Sequence, residues 1–202
     1  MVSRKKEEFL QGESKYKGPN RVVILLFVLV AVAGVATFVL LNQSSVTAVQ
    51  RWEGGNYNIG KSRDYDGRTI NMTTVANSVE DGKIKFPLEE VINKELVYTV
   101  YKNKDGRELP LVGTETPLLA YISPAGRLVT ALAICEPCRS LSFHIEGNKL
   151  VCDTCGTRWL LNDLAGISGG CTLYPPEELP YQVEAGTVMI DESVILSWNP
   201  RE

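Results

Sequence analysis

The stretch Cys135-Glu136-Pro137-Cys138, then Cys152-Asp153-Thr154-Cys155-Gly156, then Gly169-Gly170-Cys171 decides how this chain is read. All five cysteines of the 202-residue protein lie between positions 135 and 171. Two C-x2-C pairs facing each other across a short hairpin form a four-thiolate metal cage, because each pair presents two sulfurs about one turn apart. Cys135, Cys138, Cys152 and Cys155 are therefore candidate ligands of one metal centre. Pro137 inside the first pair and Gly156 after the second suit the tight turns that aim backbone N–H groups at thiolates. Disulfides compete with this reading, but an odd fifth cysteine leaves one thiol over. Cys171 itself divides between a ligand or redox role at the site and a buried or free thiol. Neither pair is followed by His, which excludes covalent haem attachment of the c type. A four-cysteine structural zinc ribbon fits the spacing equally well.

Outward from the cysteines, short apolar runs alternate with turn residues. Ile84–Leu88, Leu96–Tyr101, Glu108–Val112, Leu118–Ile122 and Arg127–Ile134 precede the first pair. Ser123-Pro124-Ala125-Gly126 marks one hairpin, and Gly147-Asn148 between Phe143–Ile145 and Lys149–Val151 marks another. Val183, Thr187–Ile190 and Val194–Trp198 close the chain. Strands at this spacing predict an all-β sandwich or barrel over residues 83–202, with no more helix than a turn between Val91 and Val97.

Residues 1–21 carry six basic and three acidic side chains, whereas residues 42–202 carry fifteen basic and twenty-one acidic. No basic stripe is present to neutralise phosphates, so nucleic-acid binding is excluded. Residues 22–41 are twenty consecutive positions without a charge. As a helix rising about 1.5 Å per residue they match a hydrocarbon core of about 30 Å. The basic flank then places residues 1–21 in the cytoplasm and the rest outside, anchored in the cell membrane by a single pass. A cleaved signal peptide is the rival, with small residues at Val46-Thr47-Ala48, but the apolar segment exceeds the usual length of about 7–15 residues. Gly34 has no partner at GxxxG spacing. Residues 42–82 are polar and turn-rich without sustained periodicity and read as a stalk; Asn71-Met72-Thr73 within it is more simply a chance triplet than a glycosylated one.

The flanks of the cysteines add a resemblance. Leu118 to Cys135 is similar to the strand-turn-strand that delivers the first ligand loop of Rieske-type iron–sulfur domains. Val151 to Trp159 resembles their second ligand loop, and Gly169-Gly170-Cys171 with residues 179–190 their covering loop and closing strands. A Rieske centre takes two histidines on one iron. This chain has a single His, His144, and Cys138 and Cys155 stand near the histidine positions. The anchor together with CEPCRS, CDTCG and GGC is similar to the FtrD-like family of membrane iron–sulfur-containing proteins, associated with iron and other metal transport. The resemblance implies a Rieske-like β domain holding a [2Fe–2S] cluster on Cys135, Cys138, Cys152 and Cys155, with Cys171 over it. It further implies electron transfer with a membrane redox or metal-transport protein. The alternative is a Zn2+ or Cu(I) module serving a transport complex as a structural or delivery subunit. No nucleophile elbow or His–Asp pairing signals an enzyme. His144 reads as a surface or cover residue before a ligand, Trp159 as core packing, and Arg139, Arg158, Glu89-Glu90 and Glu177-Glu178 as solvated.

Overall fold

The structure, a computed structural model, describes Asn20, residues 23–25 and residues 54–201. Apart from the helical residues 23–25, the apolar segment 22–41 lies outside the described residues, as does the rest of the N-terminal tail. Among the described residues no helix is long and apolar enough to cross a membrane.

Residues 54–201 form an all-β unit of three sheets with two short helices. In chain order the elements are β1 (Thr69–Asn71), β2 (Thr73–Thr74), β3 (Ser78–Glu80), β4 (Lys83–Pro87), α1 (Leu88–Lys94), β5 (Leu96–Lys102), β6 (Glu115–Ile122) and β7 (Leu128–Leu132). There follow β8 (Phe143–Glu146), β9 (Lys149–Cys152), β10 (Arg158–Leu160), β11 (Gly166–Ser168), β12 (Gln182–Glu184), β13 (Thr187–Asp191) and α2 (Glu192–Leu196). The sheets run β2-β5-β6-β7, β1-β8-β9-β10-β11 and β12-β13-β4-β3. All pairings are antiparallel except β2 with β5.

The sheet built on β6 is central because β6 and β7 are buried on both faces. Side chains of successive strand residues point to opposite sides. Leu118, Ala120 and Ile122 accordingly join one core with Ile84, Phe86, Val188 and Ile190. Leu119 and Tyr121 join the other with Phe143, Ile145, Leu150 and Trp159. Burial on both faces explains why β6 and β7 read as largely apolar runs rather than alternating ones. The second core ends at the cysteines, since Cys135, Cys152 and Cys171 belong to it.

Three expectations are corrected. The described part of the 42–82 stalk, residues 54–82, is integral: β1 pairs with β8, β2 with β5 and β3 with β4, one strand in each sheet. Tyr65 in this segment is fully buried and its hydroxyl donates to the Ile122 carbonyl at 2.6 Å. Second, Glu108–Val112 is a turn closed by Leu109–Gly113 bonds, not a strand, with Leu111 in the left-handed region. Third, Val194–Trp198 opens inside α2, because the Asp191 carboxylate accepts from the Ser193 N–H at 2.9 Å and nucleates a helix start. Helix content between Val91 and Val97 belongs to α1, which begins at Leu88 and stops where Glu95 takes a positive φ of 65°.

Candidate metal centre

Both C-x2-C loops leave the ends of strands that the second core fixes, and both close with the same backbone pattern. The Cys135 N–H donates to the Ser140 carbonyl at 2.9 Å and the Arg139 N–H returns to the Cys135 carbonyl at 2.7 Å. The Cys152 N–H donates to the Thr157 carbonyl at 3.0 Å and the Gly156 N–H returns to the Cys152 carbonyl at 2.9 Å. The residue after the second cysteine takes a positive φ in each loop, 58° at Arg139 and 67° at Gly156. Gly156 adopts this without penalty, whereas Arg139 holds it at a steric cost. The two loops are thus copies of one turn, facing each other.

Their sulfurs meet. Cys135 Sγ lies 3.9 Å from Cys155 Sγ, and Cys138 Sγ lies 3.6 Å from Cys152 Sγ, so each close pair takes one thiol from each loop. Cys135, Cys138, Cys155 and Cys171 have all four sulfurs within 4.8 Å of one another. All five cysteines are free thiols. Cys135, Cys152 and Cys171 are buried, Cys138 is half-buried and Cys155 is exposed, so the second cysteine of each pair faces outward.

The electrostatics follow this gradient. Burial pushes the Cys135 thiol well up, aided by its hydrogen bond with Cys138 and the negative charge of Cys152. Burial also raises Cys152, against hydrogen bonds from Ser140 and from the backbone of Cys155 and Thr154. Desolvation acts upward on Cys155 too, but hydrogen bonds from the Thr157 hydroxyl and backbone outweigh it and hold this thiol down to about 6. Cys155 consequently gives up its proton more readily than Cys135 or Cys152.

Thr157, buried, is a site residue that the sequence did not reveal. Its hydroxyl sits 3.2 Å from Cys155 Sγ and accepts from the Cys171 N–H at 3.2 Å. The Cys171 segment presses on it closely: a Cβ at Gly169, whose φ is +109°, would stand 2.5 Å from Thr157 Oγ1 and 2.6 Å from its Cα. The Trp159 indole N–H adds a bond of 3.2 Å to the Thr172 carbonyl. Trp159 is otherwise core, fully buried with its ring centroid 6.3 Å from that of Phe143.

The remaining candidates sort by geometry. His144 is not drawn in among the sulfurs, but the expectation that it lacks an acidic partner is corrected: the loop after β9 brings Asp153 Oδ1 to 2.5 Å from its Nδ1, and the same carboxylate meets Ser142 Oγ. Arg139 is exposed, while Arg158 pairs with Glu146 at 3.2 Å and donates to the Gly156 carbonyl at 3.1 Å. Glu89 is exposed as expected and Glu90 pairs with Lys94 at 3.1 Å. The solvated reading of Glu177-Glu178 is corrected. Glu177 is buried and accepts from the Trp198 indole at 3.0 Å, and Glu178 takes a bidentate pair from Arg127 at 2.7 and 3.0 Å. The Arg127 pairing reaches across 51 positions and the Trp198 bond across 21.

Residues 91–201 match the family described as "Membrane iron-sulfur containing protein FtrD-like". Comparison with curated proteins and with solved structures returned no match.

Proposed function

This chain belongs to the FtrD-like family of membrane iron–sulfur-containing proteins, and on that premise we propose that it is an electron carrier serving a membrane system that handles iron. The observation that carries the reading is the convergence of both C-x2-C loops on one point, with close sulfur pairs of 3.9 and 3.6 Å. Two thiolates on one tetrahedral metal stand about 3.8 Å apart for metal–sulfur bonds near 2.3 Å. Each pair is therefore spaced for one metal, and Cys135, Cys138, Cys152 and Cys155 would supply the four thiolates of a [2Fe–2S] cluster. Such a cluster supplies reversible one-electron chemistry. Two ligand loops facing each other also carry the centre of a Rieske-type domain, but the pairing differs: a Rieske centre sets both histidines on one iron, whereas Cys138 and Cys155 here fall in different close pairs. Four thiolates make the centre more negative than a Rieske centre, so its potential falls toward the roughly −400 mV of all-cysteine ferredoxins.

In this reading the chain supplies the surroundings. Cys135 and Cys152 sit at the floor of the site, sealed by the second core, and Cys138 and Cys155 form the outer edge through which a partner exchanges electrons. Residues 22–41 anchor the domain, with residues 1–21 in the cytoplasm and the β unit outside, facing a redox or metal-transport protein of the same membrane. The domain carries electrons and catalyses no bond change of its own. The second reading, a Zn2+ or Cu(I) module, is favoured by the identical hydrogen-bond pattern of the two loops, which suits a single tetrahedral ion. Titrating anaerobically purified protein with dithionite separates the two. A visible absorption that bleaches reversibly near −400 mV supports the carrier, and a colourless protein with stoichiometric zinc overturns it.

A further inference from the structure

The nest holds five sulfurs, one more than any four-coordinate set requires. We infer that Cys171 is the fourth ligand of a distinct single-ion state of this site, in which a lone divalent cation is held by Cys135, Cys138, Cys155 and Cys171 while Cys152 stands aside. The inference rests on the reading that the cysteines form one metal centre, and deepens it by assigning a second ligand set.

The compactness of this quartet is the first ground. Its sulfurs all lie within 4.8 Å of one another, close to the edge of about 3.8 Å that a tetrahedral four-thiolate ion demands. The second ground is the seat built for Cys171. Thr157 holds its N–H, Gly169 reaches the Thr157 backbone at a distance no side chain tolerates, and the Trp159 indole fixes the next carbonyl. A Cβ at Gly166 would stand 2.6 Å from that same Thr172 carbonyl. Four separate contacts therefore order a loop whose outcome is one buried thiol aimed among the other sulfurs. Cys152 remains beside Cys138 at 3.6 Å, ready to take the place of Cys171 when a second metal enters. Binding the lone cation releases to solvent the thiol protons that its ligands still carry, and exchange of Cys171 for Cys152 moves one proton between the two sulfurs, with no change of oxidation state.

Co2+ added anaerobically to metal-free, full-length protein reads the ligand set, because each thiolate adds to the sulfur-to-cobalt charge-transfer band. For Cys171→Ser the inference predicts that the band falls by about a quarter, one sulfur in four, and that affinity weakens by about tenfold or more. Cys152→Ser is expected to keep the full band and to bind within about threefold of the unsubstituted chain. Cys171→His retains a donor at that position and shifts the visible bands of Co2+ to shorter wavelength. Near-UV circular dichroism of the Trp159 region verifies that each variant is folded. The inference is overturned if Cys152→Ser loses the band while Cys171→Ser keeps it, if both lose it equally, or if the Cys171→His spectrum is unchanged. Failure of the unsubstituted protein to bind Co2+ at all overturns the shared metal centre as well. An iron–sulfur cluster that assembles in Cys171→Ser leaves the carrier reading standing on its own.

Discussion

Arg201 closes on Glu136 from 65 positions away, its backbone N–H donating to one carboxylate oxygen and its Nε to the other, both at 2.6 Å. Glu136 is the residue inside the first C-x2-C pair, and its side chain is almost wholly buried. The same guanidinium donates to the Pro175 carbonyl at 2.5 Å and lies 5.7 Å from the Tyr174 ring centre. One cation thus ties the first ligand loop to the segment that follows Cys171.

Arg201→Gln leaves a buried carboxylate without its charge partner, which costs about 3–5 kcal/mol. We expect the urea midpoint of the metal-free protein to fall accordingly, and metal to leave the loaded protein faster. Replacing both partners, Glu136→Gln with Arg201→Gln, recovers part of the loss. An unchanged midpoint in Arg201→Gln means that the strap carries no weight.

Residues 54–82 are a component of the fold. Tyr65→Phe removes a buried hydrogen bond to Ile122 and lowers stability by about 1–2 kcal/mol, while Tyr65→Ala costs about 3–5 kcal/mol through the cavity it leaves. A chain beginning at residue 83 lacks a strand from each sheet and is expected to melt without a cooperative transition. A cooperative thermal transition in that shortened chain would return residues 54–82 to the status of a tether.

Thr157 governs the reactivity of Cys155. In the metal-free protein the Cys155 thiol titrates near 6, so it is a thiolate at pH 7 and a thiol below the titration. Removing the hydroxyl with Thr157→Val takes away a lowering influence, and the midpoint moves up. The alkylation rate of Cys155 by iodoacetamide, followed against pH, reports this directly. A profile that superposes on the unsubstituted one contradicts the assignment.

Metal loading carries a proton stoichiometry. Cys135 and Cys152 are both raised, chiefly by burial, and are protonated thiols at neutral pH in the metal-free state. Binding must expel those protons, so apparent affinity increases as pH rises through the neutral range and falls in acid. Isothermal titration in buffers of different ionisation enthalpy counts the protons released. A pH-independent affinity would show that these thiols are not ligands.

How much of this was legible in the sequence varies with the range of the interaction. The C-x2-C pairs announce their chemistry locally, since spacing alone puts two sulfurs on one turn, and the doubly buried β6 and β7 announce themselves as largely apolar runs without alternation. Tyr65 and strands β1 to β3 were illegible because two- and three-residue strands have too few positions to show a period, and their apolar residues find partners only through sheet pairing. Thr157 and Arg201 were hidden for another reason. A hydroxyl near a thiolate and a guanidinium near a carboxylate look like any surface residue until the fold brings segments 14 and 65 positions apart together. Helix α2 could have been found from its cap, because Asp191-Glu192-Ser193 is a helix-start signal placed directly after a strand.

The central claim is that both cysteine loops close on one iron–sulfur centre, and quantifying iron, zinc and acid-labile sulfide in protein isolated without exposure to air tests it most directly. The account predicts about two irons and two sulfides per chain, lost together in Cys135→Ser. Protein that carries zinc and no sulfide, or no metal at all, would contradict it.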